Sequence, residues 1–193
     1  MVLLLLFTHL FLLLVTFAPP YLSLALQLVL PPRYLQTSAP AILRTYIYYI
    51  PTMAFNGILE AFFTSTATTA DLRAQSRWLL VFSLGFVGTA VVLARGLSMG
   101  DPGLVWANVA NLWMRALYAW TFTLRFFRER AAGQLVHWRK AVPPLKVLLV
   151  FATAAVATRG SEATLGARSL TLRAQAPHVF VGATCALTCL VAW

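Results

Sequence analysis

Residues 46–66 read YIYYIPTMAFNGILEAFFTST. A helix rises 1.5 Å per residue, so a run of this length spans a bilayer's hydrocarbon core, ~30 Å thick. Yet it carries Pro51, Asn56, Gly57 and Glu60 among its apolar residues. A carboxylate at membrane depth costs on the order of 3 kcal/mol even on lenient insertion scales. Such a group faces a protein interior or a wet cavity. The stretch therefore predicts a membrane helix whose polar face is turned towards other protein. The expected fold class is an all-α, polytopic membrane protein.

Composition points the same way. Of 193 residues, 60% are hydrophobic and 10% are charged, against roughly 25% charged in a soluble domain. Mean hydropathy is +0.78. The net charge is +10, from 15 Lys and Arg against 5 Asp and Glu. In a soluble chain that excess could indicate nucleic acid. Here the basic residues fall mainly between apolar runs, where cytoplasmic loops and anionic lipid headgroups account for them. No RNP-like motif, zinc pattern or basic tail occurs, so membrane lipid and not nucleic acid is the expected partner. Cys185 and Cys189 lie one turn apart in the last apolar run. Both project from one rigid rod, which suits packing better than a disulfide.

Working outward, about six transmembrane helices can be drawn, at residues 2–18, 41–66, 78–93, 103–124, 144–158 and 177–193. The first is expected to stop at Pro19-Pro20. The run 22–30 then follows, and a broken helix and a span plus interfacial piece both fit. No Lys or Arg precedes Arg33, so the first run lacks the basic flank of a signal peptide and is read as retained. Its lack of a polar lead-in suggests a truncated gene product. In the second span Pro51 is the expected hinge. In the third, Gly85 and Gly88 allow close helix approach. Asp101-Pro102 opens the fourth.

Loop charge orients the spans. One side carries Arg73, Arg77, Arg125, Arg128, Arg130, Arg139, Lys140 and Lys146. The other carries Arg33, Arg44, Arg95, Arg159, Arg168 and Arg173. The bias places both termini and a basic loop, 125–146, in the cytoplasm. Phe126, Phe127, Leu135 and Trp138 of that loop could lie in the headgroup layer, although an ordinary basic loop reads the same way.

On a helical wheel Tyr49, Met53, Asn56 and Glu60 share one stripe, and Gly57 leaves room for a neighbouring backbone. Asn108, Asn111 and Arg115 repeat the pattern on the fourth span. Alternating helix directions make spans two and four parallel, bringing Glu60 within reach of Arg115. The expectation is that these two interact, directly or through water, and that Asn56, Asn108 and Asn111 complete the network. These five are the candidate cavity-lining and substrate-binding residues, with Pro51 and Gly57 as hinge and packing positions. A purely structural role as interhelical glue fits the same residues.

Other polar residues suggest less. His9, His137 and His178 have no partners at ligand spacing. Tyr46, Tyr48 and Tyr49 read as an interfacial belt or a sugar-stacking platform. Asp71 and Asp101 stand alone on opposite sides of the membrane. No catalytic triad, phosphate loop or acid cluster occurs, so neither an enzyme nor a metal or other cofactor is expected.

The stretches NGILEAFF (56–63) and WANVANLWMRALYAW (106–120), in this order and separation, resemble the C-terminal part of the Rft-type oligosaccharide translocation proteins. The matching motifs are Asn56, Gly57, Glu60 and Phe62, then Asn108, Asn111 and Arg115, with the tyrosine-rich 46–49 before them. The resemblance covers about 41–127. It implies the C-terminal bundle of a MATE-like flippase, multi-pass in the endoplasmic-reticulum membrane. It further implies an N-terminal helical bundle beyond this chain as a partner, and a cavity-lining place for Glu60 and Arg115. The implied function is translocation of dolichol-pyrophosphate-linked oligosaccharide in N-glycosylation, or assistance of that step. The alternatives are a proton-coupled small-molecule exporter of MATE type and a non-transporting scaffold of the glycosylation pathway.

Overall fold

A computed structural model describes residues 1–130, 138–165 and 175–192. Six long helices make the fold: α1 (Val2–Val29), α3 (Ala39–Thr66), α4 (Thr69–Val91), α5 (Asp101–Glu129), α6 (Leu145–Leu165) and α7 (Ala176–Ala192). A one-turn helix, α2 (Pro32–Leu35), links α1 to α3. No strand occurs among the described residues. The principal packing order is α4, α5, α3, α1, α6, α7.

Two helices, Val2–Val29 and Thr69–Gly96, are long and apolar enough to cross a membrane, rather than the six drawn from the sequence. α3 and α5 have 28 and 29 residues and thus the length, but Asn56, Glu60, Asn108, Asn111 and Arg115 dilute their apolar character. α7 is apolar but shorter. The outer surface is nonetheless oily: Leu84 and Val156 are each 75% exposed. Exposed aliphatic surface of this kind suits hydrocarbon rather than water.

The largest departures from the expected bounds are at the end of α1 and the start of α4, while α5 and α6 run on to Glu129 and Leu165, past 124 and 158. α1 does not stop at Pro19-Pro20 but runs through both to Val29. The missing donors of a proline pair break a helix only when nothing else compensates. Here Pro20 is fully buried and its carbonyl oxygen lies 3.2 Å from Nε2 of His178 on α7, so packing against α7, rather than replacement of the missing donors, accompanies the continuous helix. α4 starts at Thr69, well before residue 78, because a capping box sets its first turn. The Asp71 amide donates to Thr68 Oγ1, and the Thr68 amide donates to Asp71 Oδ2.

α4 ends in a π-helical turn, Val92–Gly96, and the chain reverses into α5 through Ser98 (φ 53°) and Gly100 (φ 61°, ψ −140°). The Gly100 conformation is open essentially only to glycine. A Cβ on Gly103 would lie 2.9 Å from the Ala94 nitrogen, so a side chain there would drive α4 and α5 apart. By contrast, a Cβ on Gly57 would meet nothing within 4 Å. No neighbouring backbone uses the space that the sequence reading assigned to it. Nor does one use Gly88, while Gly85 lies against the Met114 side chain.

The core has two centres. Leu59 and Phe63 of α3 meet Ala116, Ala119 and Phe122 of α5, with Leu4 of α1. Val147, Phe151 and Ala154 of α6 meet Cys189 of α7. Cys185 and Cys189 are free thiols, used as packing groups. The stretch expected as a basic loop is helical as far as Glu129, at the end of α5. Leu135, His137, Arg168, Arg173 and Trp193 lie outside the described residues.

Candidate functional site

The seam between α3 and α5 is the most extensive helix–helix contact of the fold. The two helices run parallel. Tyr48 stacks on Trp106 with centroids 5.3 Å apart, Glu60 meets Arg115, and Phe63 meets Phe122 at 4.6 Å. Among the buried residues of α3, Thr45, Thr52, Asn56, Leu59 and Phe63 form a helical-period stripe. Thr45 and Thr52 donate their hydroxyls to the Ala41 and Tyr48 carbonyls one turn back, so they bring no free polarity to the seam. Pro51 is buried within a continuous α3.

The polar centre lies in mid-seam. Arg115 donates from Nε at 2.9 Å and from Nη2 at 2.6 Å to a single oxygen, Glu60 Oε1. The other oxygen, Oε2, accepts from Asn56 Nδ2 at 2.9 Å. Three N–H donors thus converge on one carboxylate. The Arg115 and Glu60 side chains keep 33% and 22% of their exposure, so the pair is open on one side. Donation to Glu60 orients the Asn56 amide and leaves its Oδ1 buried without a donor among the described residues. Asn111 Oδ1, one turn before Arg115 on α5, is likewise buried without a donor. An unsatisfied buried acceptor costs about 1–3 kcal/mol. Two of them on the helices of a charged pair leave acceptor capacity that a hydroxyl or amide could use only where the seam opens to it. The unused Arg115 Nη1 group can donate in return.

Asn108 does not join this network. It is exposed and makes no hydrogen bond among the described residues. Met53, on the expected stripe, is 47% exposed. Below the charged level the seam closes with aromatics: Phe62 packs on Phe126 and Phe127 at 5.3 and 5.5 Å. No cluster of His, Cys, Asp and Glu suited to a metal occurs among the described residues.

All of residues 1–193 match the family model described as Rft protein. The chain belongs to the Rft family. This Rft-family chain is similar to proteins named Man(5)GlcNAc(2)-PP-dolichol translocation protein RFT1. The Saccharomyces cerevisiae relative is 33% identical over 123 residues, covering 64% of this chain and 21% of the relative. The one from Yarrowia lipolytica is 40% identical over 95 residues, 49% of this chain and 14% of the relative. The one from Xenopus tropicalis is 27% identical over 179 residues, 93% of this chain and 32% of the relative. The chain thus spans about a third or less of the relatives it matches. No solved structure matches it.

Three further polar groupings in this Rft-family chain escaped the sequence reading. Asp71, expected to stand alone, accepts from Arg125 Nη2 at 2.7 Å and ties the start of α4 to the end of α5. Asp101 accepts from Ser38 Oγ at 2.6 Å, joining the starts of α3 and α5. His178 is buried, with Nδ1 at 2.9 Å from Ser161 Oγ and Nε2 at 3.2 Å from the Pro20 oxygen. Tyr21 stacks on the His178 ring at 4.2 Å and donates its hydroxyl to the His178 carbonyl. The only sequence signal for this cluster was a histidine, His178, at the start of the apolar run 177–193.

Proposed function

We propose that the chain is the C-terminal helical bundle of a protein that moves dolichol-pyrophosphate-linked oligosaccharide across the endoplasmic-reticulum membrane in N-glycosylation, or that assists this step. The single observation that carries the reading is the mid-seam site, in a chain of this family. A partly exposed charged pair lies on parallel helices, with two buried amide oxygens that have no donor among the described residues. Sugar hydroxyls supply the donors that Asn56 and Asn111 lack and the acceptors that Arg115 Nη1 can meet. No covalent chemistry is involved. The six long helices act as six spans, with both termini cytoplasmic. α3 and α5 carry their polar seam towards a cavity completed by an N-terminal bundle. Short of that bundle the chain holds half of an alternating-access machine.

The test is restoration of glycosylation in cells lacking a family member, using this chain alone and the chain joined to an N-terminal bundle. Restoration by the joined chain supports the reading, whereas failure of both overturns it. Reconstitution with labelled lipid-linked sugar then separates translocation from assistance.

A second reading follows from the bidentate geometry. With Nε and Nη2 committed to Glu60, Arg115 serves the seam first and any cargo second. In a scaffold the charge-swapped pair would retain function. In the translocation reading it loses function while the fold persists, because Asn56 no longer faces a carboxylate. The proton-coupled exporter requires transport to respond to Glu60→Gln and to the pH gradient.

A further inference from the structure

A cavity of about 590 Å³ opens at the end of the fold where α3 and α5 begin. That volume is in the range of small-molecule sites. It lies between the C-terminal half of α1, the start of α3, Trp106 of α5 and the end of α6. Its charged lining groups are Arg44, Arg159 and Glu162, two cations against one anion. Neither guanidinium makes an ion pair among the described residues. The Ser23 hydroxyl also lines the cavity and makes no hydrogen bond among the described residues. Tyr48 and Trp106 form an aromatic wall, and Leu22 and Leu26 of α1 an apolar one.

This chemistry contrasts with that of the mid-seam site. There Arg115 is neutralised by Glu60, and the unsatisfied groups are acceptors, which repel an anion. At the α3 entrance the excess is positive, and the exposed groups without a protein partner among the described residues are donors. Guanidinium forks match phosphate oxygens, and charge-assisted hydrogen bonds to them are strong. An apolar wall beside the cations suits an amphiphile whose head is charged and whose tail is hydrocarbon. The entrance lies on the same α3 helix as the mid-seam site, with Tyr48 eight residues or ~12 Å before Asn56.

We infer that the Arg44–Arg159 cavity binds the phosphate or diphosphate group of a membrane-anchored ester, while the mid-seam amides take the hydroxyl-bearing part of the same molecule. The assignment rests on the translocation reading for what the ester carries; phosphate binding itself requires no transport. Ser23 adds a neutral donor, Trp106 and Tyr48 offer a ring face to the first sugar, and Glu162 limits the affinity.

The test uses the full 193-residue chain in phosphatidylcholine nanodiscs. The probes are a polyisoprenyl phosphate, the matching uncharged polyisoprenol, and inorganic pyrophosphate as competitor. The phosphate binds at least about tenfold more tightly than the alcohol, the scale of one charge-assisted hydrogen bond. Arg44→Gln and Arg159→Gln each weaken phosphate binding about tenfold and leave the alcohol unchanged. Glu162→Gln strengthens phosphate binding, a change of sign that misfolding does not produce. Competition by inorganic pyrophosphate supports the phosphate group as what is held, and phosphate selectivity without such competition supports the anchored ester. Equal binding of phosphate and alcohol overturns the inference, as do affinities unmoved by all three substitutions. Glycosylation measures something else. A chain that complements without phosphate selectivity overturns this site and leaves the translocation reading standing. Binding through Arg44 and Arg159, with failure of both the chain and the joined two-bundle protein to complement, does the reverse.

Discussion

Arg115 on α5 clamps Glu60 on α3 through two nitrogens on one carboxylate oxygen, at 2.9 and 2.6 Å. The residues are 55 positions apart; Arg115 sits in the middle of α5 and Glu60 in the C-terminal part of α3. Exposures of 33% and 22% place the pair between a surface ion pair, worth little, and a buried one, whose disruption is costly. Glu60→Gln and Arg115→Gln should therefore be strongly non-additive. A double-mutant cycle on unfolding in detergent is expected to give a coupling on the order of 1–3 kcal/mol. Additive single effects would show that the contact contributes nothing.

Asn111 offers a sharper separation of fold from function. Its Oδ1 is buried without a donor, so Asn111→Leu removes an unsatisfied group and keeps a similar volume. Unfolding measurements are expected to show unchanged or slightly raised stability, by up to about 1 kcal/mol. Glycosylation by the joined two-bundle protein is expected to fall. A variant that loses stability and function together would mean that Asn111 serves packing.

The α1–α6–α7 junction depends on His178. Replacing it with Leu strands the Ser161 hydroxyl and removes a partner from the Pro20 oxygen, at an expected cost of about 1–3 kcal/mol. Gly182→Ala puts a methyl group into the Tyr21 ring that stacks on His178. It should cost about 1–3 kcal/mol, as overpacking does. Tyr21→Leu in the same chain should recover part of the loss. Thermal unfolding of the three variants checks both expectations, and a Gly182→Ala chain as stable as the parent would contradict the packing.

Phe63 is fully buried where α3, α5 and α1 meet. Phe63→Ala is expected to cost about 3–5 kcal/mol, against less than about 0.5 kcal/mol for truncating an exposed neighbour such as Thr64. Parallel denaturation of the two variants would show whether this contact anchors the seam.

The α3–α5 relationship was legible before any coordinates because both helices announce themselves by cost. A carboxylate and a guanidinium inside apolar runs must find partners, and periodicity shows which neighbours share their face. Asn56 followed from the same stripe. Asn108 did not: it is three residues from Asn111 and within one face on an ideal wheel, yet the α3 contact surface is too narrow to include it. Gly57 failed for a related reason. A glycine marks where a close approach is possible, not where one occurs, and the close approach here is at Gly103.

What the sequence by itself determined was the helical class, the oily surface and the two polar faces, because hydropathy and a 3.6-residue period are properties of local chain. Only the tertiary structure decided that α1 continues through Pro19 and Pro20, that His178 is a buried junction, and that Arg44 and Arg159 share a cavity. Each of these outcomes involves a partner more than 100 positions away, and no local pattern records which distant donor or acceptor will arrive. A proline pair, a histidine or an arginine carries an unmet hydrogen-bonding or charge requirement in its chemistry. Which neighbour meets it is set by helix order and direction.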